Sequence, residues 1–269
     1  GFDYRFAMGV PDFWIRLSKD TRDEDWSISQ LWYELTNRRR EEKTISYAES
    51  HDQALVGDQT LIFRLIGAEI YERMRAEDDS MAVDRGIALH KMIRLVTLST
   101  AGHGYLNFMG NEFGHPEWID FPRPGNDWSY RYARRQWHLA DDPGLKYHFL
   151  RDFDREMLAL ASRLRLPGDE EIRLLYEHNK DKILAFQRAG LVFVFNFHPE
   201  RSFPDYPVPA PTMIDRLQLV LDSDAPRFGG HNRLALDQIF ESSTSPAFGT
   251  RQIYLYLPNR TALVLQAQS

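Results

Sequence analysis

The chain has 269 residues, of which 43% are hydrophobic and 13% aromatic, so it has enough apolar material for two compact domains or one large barrel. Its 33 basic and 39 acidic residues give a net charge of -6, which argues against a nucleic-acid-binding protein. The chain contains no cysteine, which excludes disulfides and thiolate metal sites and is typical of the cytoplasm, and it has no apolar run long enough to span a membrane.

The first predicted element is a strand-like stretch over residues 1–6, and the sequence starts without methionine. We therefore expect a segment trimmed from a longer protein. Strand and helix candidates then alternate up to about Leu166, with short strands predicted over residues 44–48 and 105–109. Asp84 is expected to cap a helix. Two apolar stripes at helical spacing are interpreted as core: Leu89, Met92, Ile93 and Val96, then Leu145, Phe149, Phe153, Met157 and Leu160.

Beyond Leu166 several short strands follow one another, which indicates a change of fold class near Pro167-Gly168. We therefore predict one domain over residues 1–166 and a second, all-β domain over residues 167–269. Strands are predicted over residues 172–177, 182–188, 191–197, 217–222, 252–257 and 262–266. Hairpins are expected at residues 189–190 and 258–260, and long surface connections over residues 199–211 and 222–246.

The most informative stretch is residues 45–53, where an apolar strand ends in Glu49, Ser50, His51 and Asp52. Barrel enzymes place their chemistry at strand ends of this kind. A carboxylate there can grip two sugar hydroxyls, and an adjacent imidazole can donate a hydrogen bond as charge develops on the sugar. For an isolated pair the commoner explanation is that Asp52 caps a helix and His51 is an ordinary loop residue. The surrounding sequence decides between these readings.

Residues 49–58, with the sequence ESHDQALVGD, resemble the branching-enzyme form of the fourth conserved region of alpha-amylase-type enzymes. In that family the region follows the seventh strand of the barrel. The resemblance implies that Asp52 and His51 are catalytic residues that stabilise the transition state.

Residues 105–118, with the sequence YLNFMGNEFGHPEW, are similar to the eighth strand of the same barrels. Gly110 and Gly114 are expected to turn the backbone sharply beside the sugar, and the flat indole of Trp118 is suited to stacking on a glucose ring. Ordinary structural roles remain open, since Trp118 also suits a core position and Glu112 an ion pair. The residues expected to bind substrate are Glu49, Asn111, Glu112, His115 and Trp118.

The resemblance continues through residues 84–86, 90–94, 119–126, 132–139, 195–199, 221–225 and 228–231, and so covers nearly the whole chain. It implies an α/β part followed by an all-β part: strands six to eight of a TIM (β/α)8 barrel with their helices, then an all-β sandwich. The expected partner is an α-glucan such as glycogen, starch or amylose, with no cofactor, and the missing N-terminal half of the same enzyme is a further expected partner. The full-length enzyme is expected to cleave an α-1,4 link and to transfer the glucan to a 6-hydroxyl, making an α-1,6 branch.

Retaining glycosyl transfer needs a nucleophile and an acid/base, two carboxylates held about 5–5.5 Å apart. The stretches that carry both groups in the family, including its Gly-Phe-Arg-Phe-Asp type segment, do not occur in this sequence. We therefore expect the chain alone to be inactive.

Three other functions stay open. A metal hydrolase is suggested by His51, Asp52, His103 and His115, although no histidine pair has the spacing of a helical zinc site. A non-catalytic glucan-binding module fits a chain without the two catalytic carboxylates. A related alpha-amylase-type hydrolase differs only in using water as the acceptor, and side-chain chemistry alone does not separate it from a branching enzyme.

Overall fold

The fold is known from a computed structural model, which describes residues 2–39, 41–56, 59–168, 170–211, 214–245 and 249–268. In the first part of the chain, short parallel strands are separated by helices. The strands are β1 (Arg5–Phe6), β2 (Thr44–Ser46) and β3 (Gly104–Tyr105), and the helices are α1 (Gly9–Asp20), α2 (Ile28–Thr36), α3 (His51–Val56), α4 (Leu61–Ile66), α5 (Met81–Thr100), α6 (His138–Asp141) and α7 (Tyr147–Arg163).

The parallel sheet has the order β1-β2-β3, in which Arg5 pairs with Thr44 and Ser46 with Tyr105. Its strands are shorter than those predicted over residues 44–48 and 105–109. The backbone beyond β2 is bound by side chains instead, since the amide of Ser50 donates to Oε1 of Gln53 at 3.0 Å. Ladder pairing therefore ends at Ser46, and two residues separate it from the polar run that starts at Glu49.

Helix α5 begins earlier than predicted, and Asp84 does not cap it. Ser80 is the cap, and its hydroxyl accepts a hydrogen bond from the amide of Val83 at 3.1 Å. Asp84 lies inside the first turn, where its carboxylate pairs with Lys146 at 3.2 Å. The four stripe residues of α5 are buried as predicted. In α7 the predicted stripe holds for Phe153, Met157 and Leu160, whereas Leu145 precedes the helix.

The second part contains two antiparallel sheets, ordered β4-β5-β6-β12-β8-β9 and β10-β11-β7. One face of the larger sheet packs on the helices through Phe186 and Phe193, and the other packs on the smaller sheet through Val192 and Val194. Every residue of β6 is consequently buried. The strands are β4 (Arg173–His178), β5 (Ile183–Arg188), β6 (Leu191–Asn196), β7 (Phe203–Pro209), β8 (Arg216–Asp222), β9 (Ile239–Glu241), β10 (Ser243–Thr244), β11 (Arg251–Leu257) and β12 (Thr261–Ala267).

The six strands predicted in this part are confirmed, but the two predicted connections contain further strands. Residues 199–211 include β7, and residues 222–246 include β9 and β10. Three prolines made β7 look like a loop, yet Phe203, Tyr206 and Val208 are buried on one face. An edge strand tolerates proline because one row of its amides has no ladder partner.

One of the two predicted hairpins is wrong. Ala189 and Gly190 do form a tight turn between β5 and β6, with φ angles of 49° and 75°. Residues 258–260 instead carry the chain from one sheet to the other, because β11 pairs with β7 while β12 pairs with β6 and β8. Residues 258–260 therefore connect the two sheets of the sandwich.

Two buried cations join the parts of the chain. The guanidinium of Arg188 on β5 donates to the carbonyls of Ser99 at 2.9 Å and Ala101 at 2.6 Å, at the end of α5. The ammonium of Lys91 on α5 donates to the carbonyl of Ser223 at 2.6 Å. The helices and the larger sheet also share one apolar core, so the second part braces the helix that lies behind the parallel sheet. The boundary at residues 166–167 stays a prediction.

Candidate functional site

The carboxyl end of the parallel sheet brings together the two motifs found in the sequence. His51 and Asp52 begin α3, which follows β2 after residues 47–50, and Nε2 of His51 lies 3.0 Å from Oδ1 of Asp52. Their side chains are 50% and 57% exposed. The His51 ring lies 5.9 Å from the ring of Phe121 and 6.4 Å from that of Phe108. An acid and an imidazole therefore lie side by side on the surface, with aromatic rings next to them.

Tyr47 lies below this pair and is itself buried. Burial raises the pKa of its hydroxyl, and the negative charges of Asp52 and Asp12 raise that pKa further. Tyr47 therefore stays a neutral hydrogen-bonding group near Asp52. Its ring packs edge-on against Phe6 of β1 at 5.8 Å, which ties the first strand to the end of the second.

Glu49 forms the floor of the site and is almost fully buried. One carboxylate oxygen accepts from the amide of Leu61 at 2.8 Å, and the other accepts from Nδ2 of Asn111 at 2.5 Å. Burial raises the pKa of Glu49 to about 7, although both hydrogen bonds lower it in part. This side chain connects the end of β2, the start of α4 and the turn after β3.

The turn after β3 is built as predicted from glycine. Gly110 has a φ of 95°, and a Cβ atom there would lie 2.7 Å from Cδ of Arg135. Only glycine fits this left-handed position and this close approach. The Gly110 amide donates to a carboxylate oxygen of Glu112 at 2.7 Å, which leaves Glu112 half-buried on the turn, and burial raises its pKa.

Arg135 holds the next part of the loop through hydrogen bonds. Its guanidinium donates to Nδ1 of His115 at 2.9 Å, to the Glu117 carbonyl at 2.7 Å and to the Trp118 carbonyl at 3.2 Å. Burial, together with the positive charge of Arg135, lowers the pKa of His115 to about 4, so this imidazole is neutral at pH 7. The Trp118 backbone is thus fixed while its side chain remains 37% exposed.

A buried ion pair that sequence reasoning missed lies deeper in this network. Arg94 of α5 pairs with Asp154 of α7 and also donates to Oδ1 of Asn107 at 2.9 Å. One turn earlier on α5, His90 lies 3.5 Å from the amide nitrogen of Asn111, and burial lowers its pKa strongly. The available signal was the pair of cations at positions 91 and 94, which lie among the apolar stripe residues of α5.

The residues predicted from sequence therefore form two groups. His51, Asp52 and Trp118 are exposed, Glu112 is half-buried, and Glu49, Asn111 and His115 are buried and bonded to neighbouring protein groups. The exposed group can contact a ligand directly, whereas the buried group fixes the turns that carry it.

The exposed pair lies on an open surface and not inside a closed cavity. Cavities of 790, 660 and 330 Å³ formed by the described residues are lined by other side chains than His51 and Asp52. The described residues include no group of three histidines or carboxylates placed to hold a metal ion. None of their helices is both long and apolar enough to cross a membrane.

Comparison with known proteins gives a consistent result. Residues 176–268 match the family described as the alpha amylase C-terminal all-beta domain. A 1,4-alpha-glucan-branching enzyme of Felis catus is 52% identical over 99% of this chain, and that of Saccharomyces cerevisiae is 49% identical over 98% of it. Over nearly its whole length the chain is similar to 1,4-alpha-glucan-branching enzymes. The resemblance found in the sequence is thereby confirmed, and the chain spans 38% of the length of each of these two relatives.

Solved structures show a similar fold at low sequence identity. A debranching enzyme from Nostoc punctiforme matches 99% of this chain and 48% of its own, with a TM-score of 0.57 and 15% identity. A noncanonic maltogenic alpha-amylase from Thermotoga neapolitana matches all of this chain and 52% of its own, with a TM-score of 0.54 and 12% identity. The α/β part, and not only the all-β part that the family match covers, thus lies within a known fold.

Proposed function

We propose that this chain forms part of a 1,4-α-glucan branching enzyme, in which His51 and Asp52 bind a glucosyl unit in the transition state. The observation that carries the proposal is the exposed His51–Asp52 pair at the carboxyl end of β2, next to Phe108 and Phe121. The relatives named as branching enzymes favour a sugar hydroxyl over water as the acceptor of the glucan.

We also propose that β1, β2 and β3 correspond to strands six to eight of a (β/α)8 barrel. They are parallel and neighbours in chain order, with helices between them, which supports a portion of such a barrel. Among the described residues β1 and β3 pair on one side only, and a barrel needs eight strands to close. The remaining strands of the full-length enzyme would complete this barrel.

The proposed division at residues 166–167 has support from the order of elements. Helix α7 ends at Arg163, and the first antiparallel strand begins at Arg173. Between these two residues the chain passes from the helical part to the antiparallel sheets. The shared core means that the two domains would form one rigid unit and not two loosely linked ones.

In the proposed mechanism the Asp52 carboxylate accepts hydrogen bonds from two hydroxyls of one glucose ring, and the His51 imidazole donates to the same ring. Positive charge grows on the sugar as the glycosidic bond breaks, so the negative charge of Asp52 stabilises the transition state more than the ground state. The covalent intermediate and its transfer to a 6-hydroxyl need a nucleophile and an acid/base. Glu49 is already bonded to Leu61 and Asn111 and is not assigned either role, so both carboxylates would come from outside this chain.

The remaining predicted residues differ in exposure to solvent, and this difference suggests different roles. The exposed indole of Trp118 and the half-buried carboxylate of Glu112 support direct contact with the glucan. The burial of Glu49, Asn111 and His115 favours a positioning role, in which they hold the loops that carry His51 and Trp118.

The proposal is tested by calorimetric binding of maltoheptaose to this chain and to the variants His51→Ala and Asp52→Asn. Each variant removes a hydrogen bond to the sugar, and that of Asp52 is charge-assisted, so we expect affinity to fall by about tenfold. The control is Asp205→Asn, which removes an exposed carboxylate from β7 in the second part. Unchanged affinity in Asp52→Asn would contradict direct contact between Asp52 and the bound glucan.

The same preparation tests the predicted lack of turnover. Amylose incubated with the pure chain is expected to gain no α-1,6 links, as measured by NMR. Branch formation by the chain alone would show that it contains its own nucleophile and acid/base.

A further inference from the structure

Residues 118–137 contain an unusual set of exposed aromatic side chains. The set is Trp118, Phe121, Trp128, Tyr130, Tyr132 and Trp137, each between 37% and 65% exposed. By contrast, the large exposed hydrophobic side chains among the described residues of the second part include a single aromatic ring, that of Tyr254. Burying aromatic surface is a major source of stability, so a cluster left in water indicates a binding surface.

Most of this set lies on or beside one closed loop. The amide of Asp120 donates to the carbonyl of Tyr132 at 3.2 Å, which joins the two ends of the loop. The Asp120 carboxylate accepts from Nε of Arg123 at 2.8 Å and from Nδ2 of Asn126 at 2.9 Å. The loop is therefore held by its own hydrogen bonds, as compact functional loops often are.

The backbone at the tip of the loop is strained. Asp127 and Trp128 are consecutive residues with φ angles of 53° and 56°, in the left-handed region that glycine prefers. A bulky side chain is rare in this conformation. The indole of Trp128 is 64% exposed, so its burial contributes little free energy to offset the cost of this backbone conformation. Glycine at position 128 would give a more stable fold, so stability does not explain why a tryptophan is present.

We infer that Trp128 is a stacking platform for an α-glucan chain that continues from the His51–Asp52 site, an inference that rests on the proposed function. Phe121 belongs to the same loop and its ring lies 5.9 Å from that of His51, so the loop that carries Trp128 adjoins that site. The exposed Asp127 carboxylate beside the indole makes no hydrogen bond or ion pair to the residues the structure describes, so it is free to accept sugar hydroxyls.

The net charge of the chain and the acid next to Trp128 favour a sugar over other stacking ligands. Nucleic-acid bases also stack on indoles, and residues 118–137 include four arginines, but Arg123 pairs with Asp120 and Arg135 is buried, while the whole chain has a net charge of -6 and exposes the Asp127 carboxylate at the loop tip. A neutral glucan is not repelled by these negative charges. Its pyranose ring offers an apolar C–H face to the indole and hydroxyl groups to Asp127.

The test uses the variant Trp128→Gly, because glycine suits the left-handed backbone and should leave the chain as stable as the wild type or more so. Maltoheptaose binding is measured by calorimetry and thermal stability by circular dichroism. We expect affinity to fall about tenfold while the melting temperature is unchanged or raised. Trp128→Tyr should retain most of the affinity. Tyr33→Ala on α2, which removes another exposed ring, should bind as wild type does.

Each outcome separates this inference from the proposed function. Equal affinity in Trp128→Gly, with weakened binding in Asp52→Asn, would overturn the platform and leave the proposed function intact. No binding by the wild type would overturn both. If Trp128→Gly abolishes self-association in sedimentation experiments and leaves sugar affinity unchanged, the surface contacts a second copy of the chain and the platform is overturned.

Discussion

The two parts of this molecule are held together by different interactions. The strands of the parallel sheet are two or three residues long, whereas β6 and β12 of the second part have six and seven residues and pair on both sides. The first part compensates with buried polar side chains that bond distant segments to one another, among them Arg94, Glu49 and Arg135.

The difference explains where the candidate site lies. A long strand fixes its side chains through regular pairing, which leaves little freedom to aim a carboxylate and an imidazole at a ligand. Short strands that end in loops offer that freedom, but the loops need another source of rigidity. The buried network under His51 and Asp52 supplies it.

The largest expected effect tests whether this network does stabilise the first part. Arg94→Met leaves the Asp154 carboxylate buried without its partner, which should lower the free energy of unfolding by roughly 3–5 kcal/mol. Urea denaturation at pH 7 measures the change. The double variant Arg94→Met/Asp154→Leu removes both charges and should recover most of the loss. If the single variant lost less than about 1 kcal/mol, the ion pair would not be a main support of the site.

An intermediate effect concerns the pH dependence of stability. Burial raises the pKa of Glu49 to about 7 from 4.5, so the folded state binds more protons than the unfolded state between these values. This contribution to stability is present at low pH and is lost as pH rises through about 7. Glu49→Gln lacks it, and relative to wild type its free energy of unfolding should increase by roughly 3 kcal/mol between pH 4.5 and 8.

His115 supplies the matched control, since its shift has the opposite sign. Burial lowers the pKa of His115 to about 4 from 6.5, so its contribution is present at neutral pH and is lost as pH falls through about 4. The difference between His115→Asn and wild type should therefore change in the reverse direction over the acidic range. Urea unfolding of both variants at several pH values measures the two slopes. Parallel slopes would refute the assigned burial of at least one of these groups.

The sequence predicted the features that depend on neighbouring residues. The strand end at His51 and Asp52, the left-handed glycine at position 110 and the turn at residues 189–190 all follow from local chemistry. It did not predict that Glu49 and Asn111 bond to each other, because these residues are 62 positions apart. The partners Arg94 and Asp154 are 60 positions apart, and no local pattern connects them.

In the second part, the prolines of residues 199–211 led to the wrong prediction that this segment contains no strand. The rule that proline breaks structure assumes that every amide of a strand is needed for pairing. In β7 the outer edge pairs with no strand among the described residues, so Pro204, Pro207 and Pro209 fit a strand that is buried through other side chains. Strand order in the sheet, which the sequence does not display, decides whether a proline is tolerated.

The smallest expected effect comes from an ion pair in the second part. Arg216 of β8 and Glu241 of the edge strand β9 lie 3.0 Å apart, as close as many buried pairs, but their side chains are 60% and 72% exposed. Water screens exposed charges and the long side chains lose conformational freedom on pairing, so Glu241→Gln should change the free energy of unfolding by less than about 0.5 kcal/mol. The same urea titration measures it, in low and in high salt. A loss comparable with that of Arg94→Met would mean that ion pairing, and not apolar burial between two sheets, stabilises the second part as well.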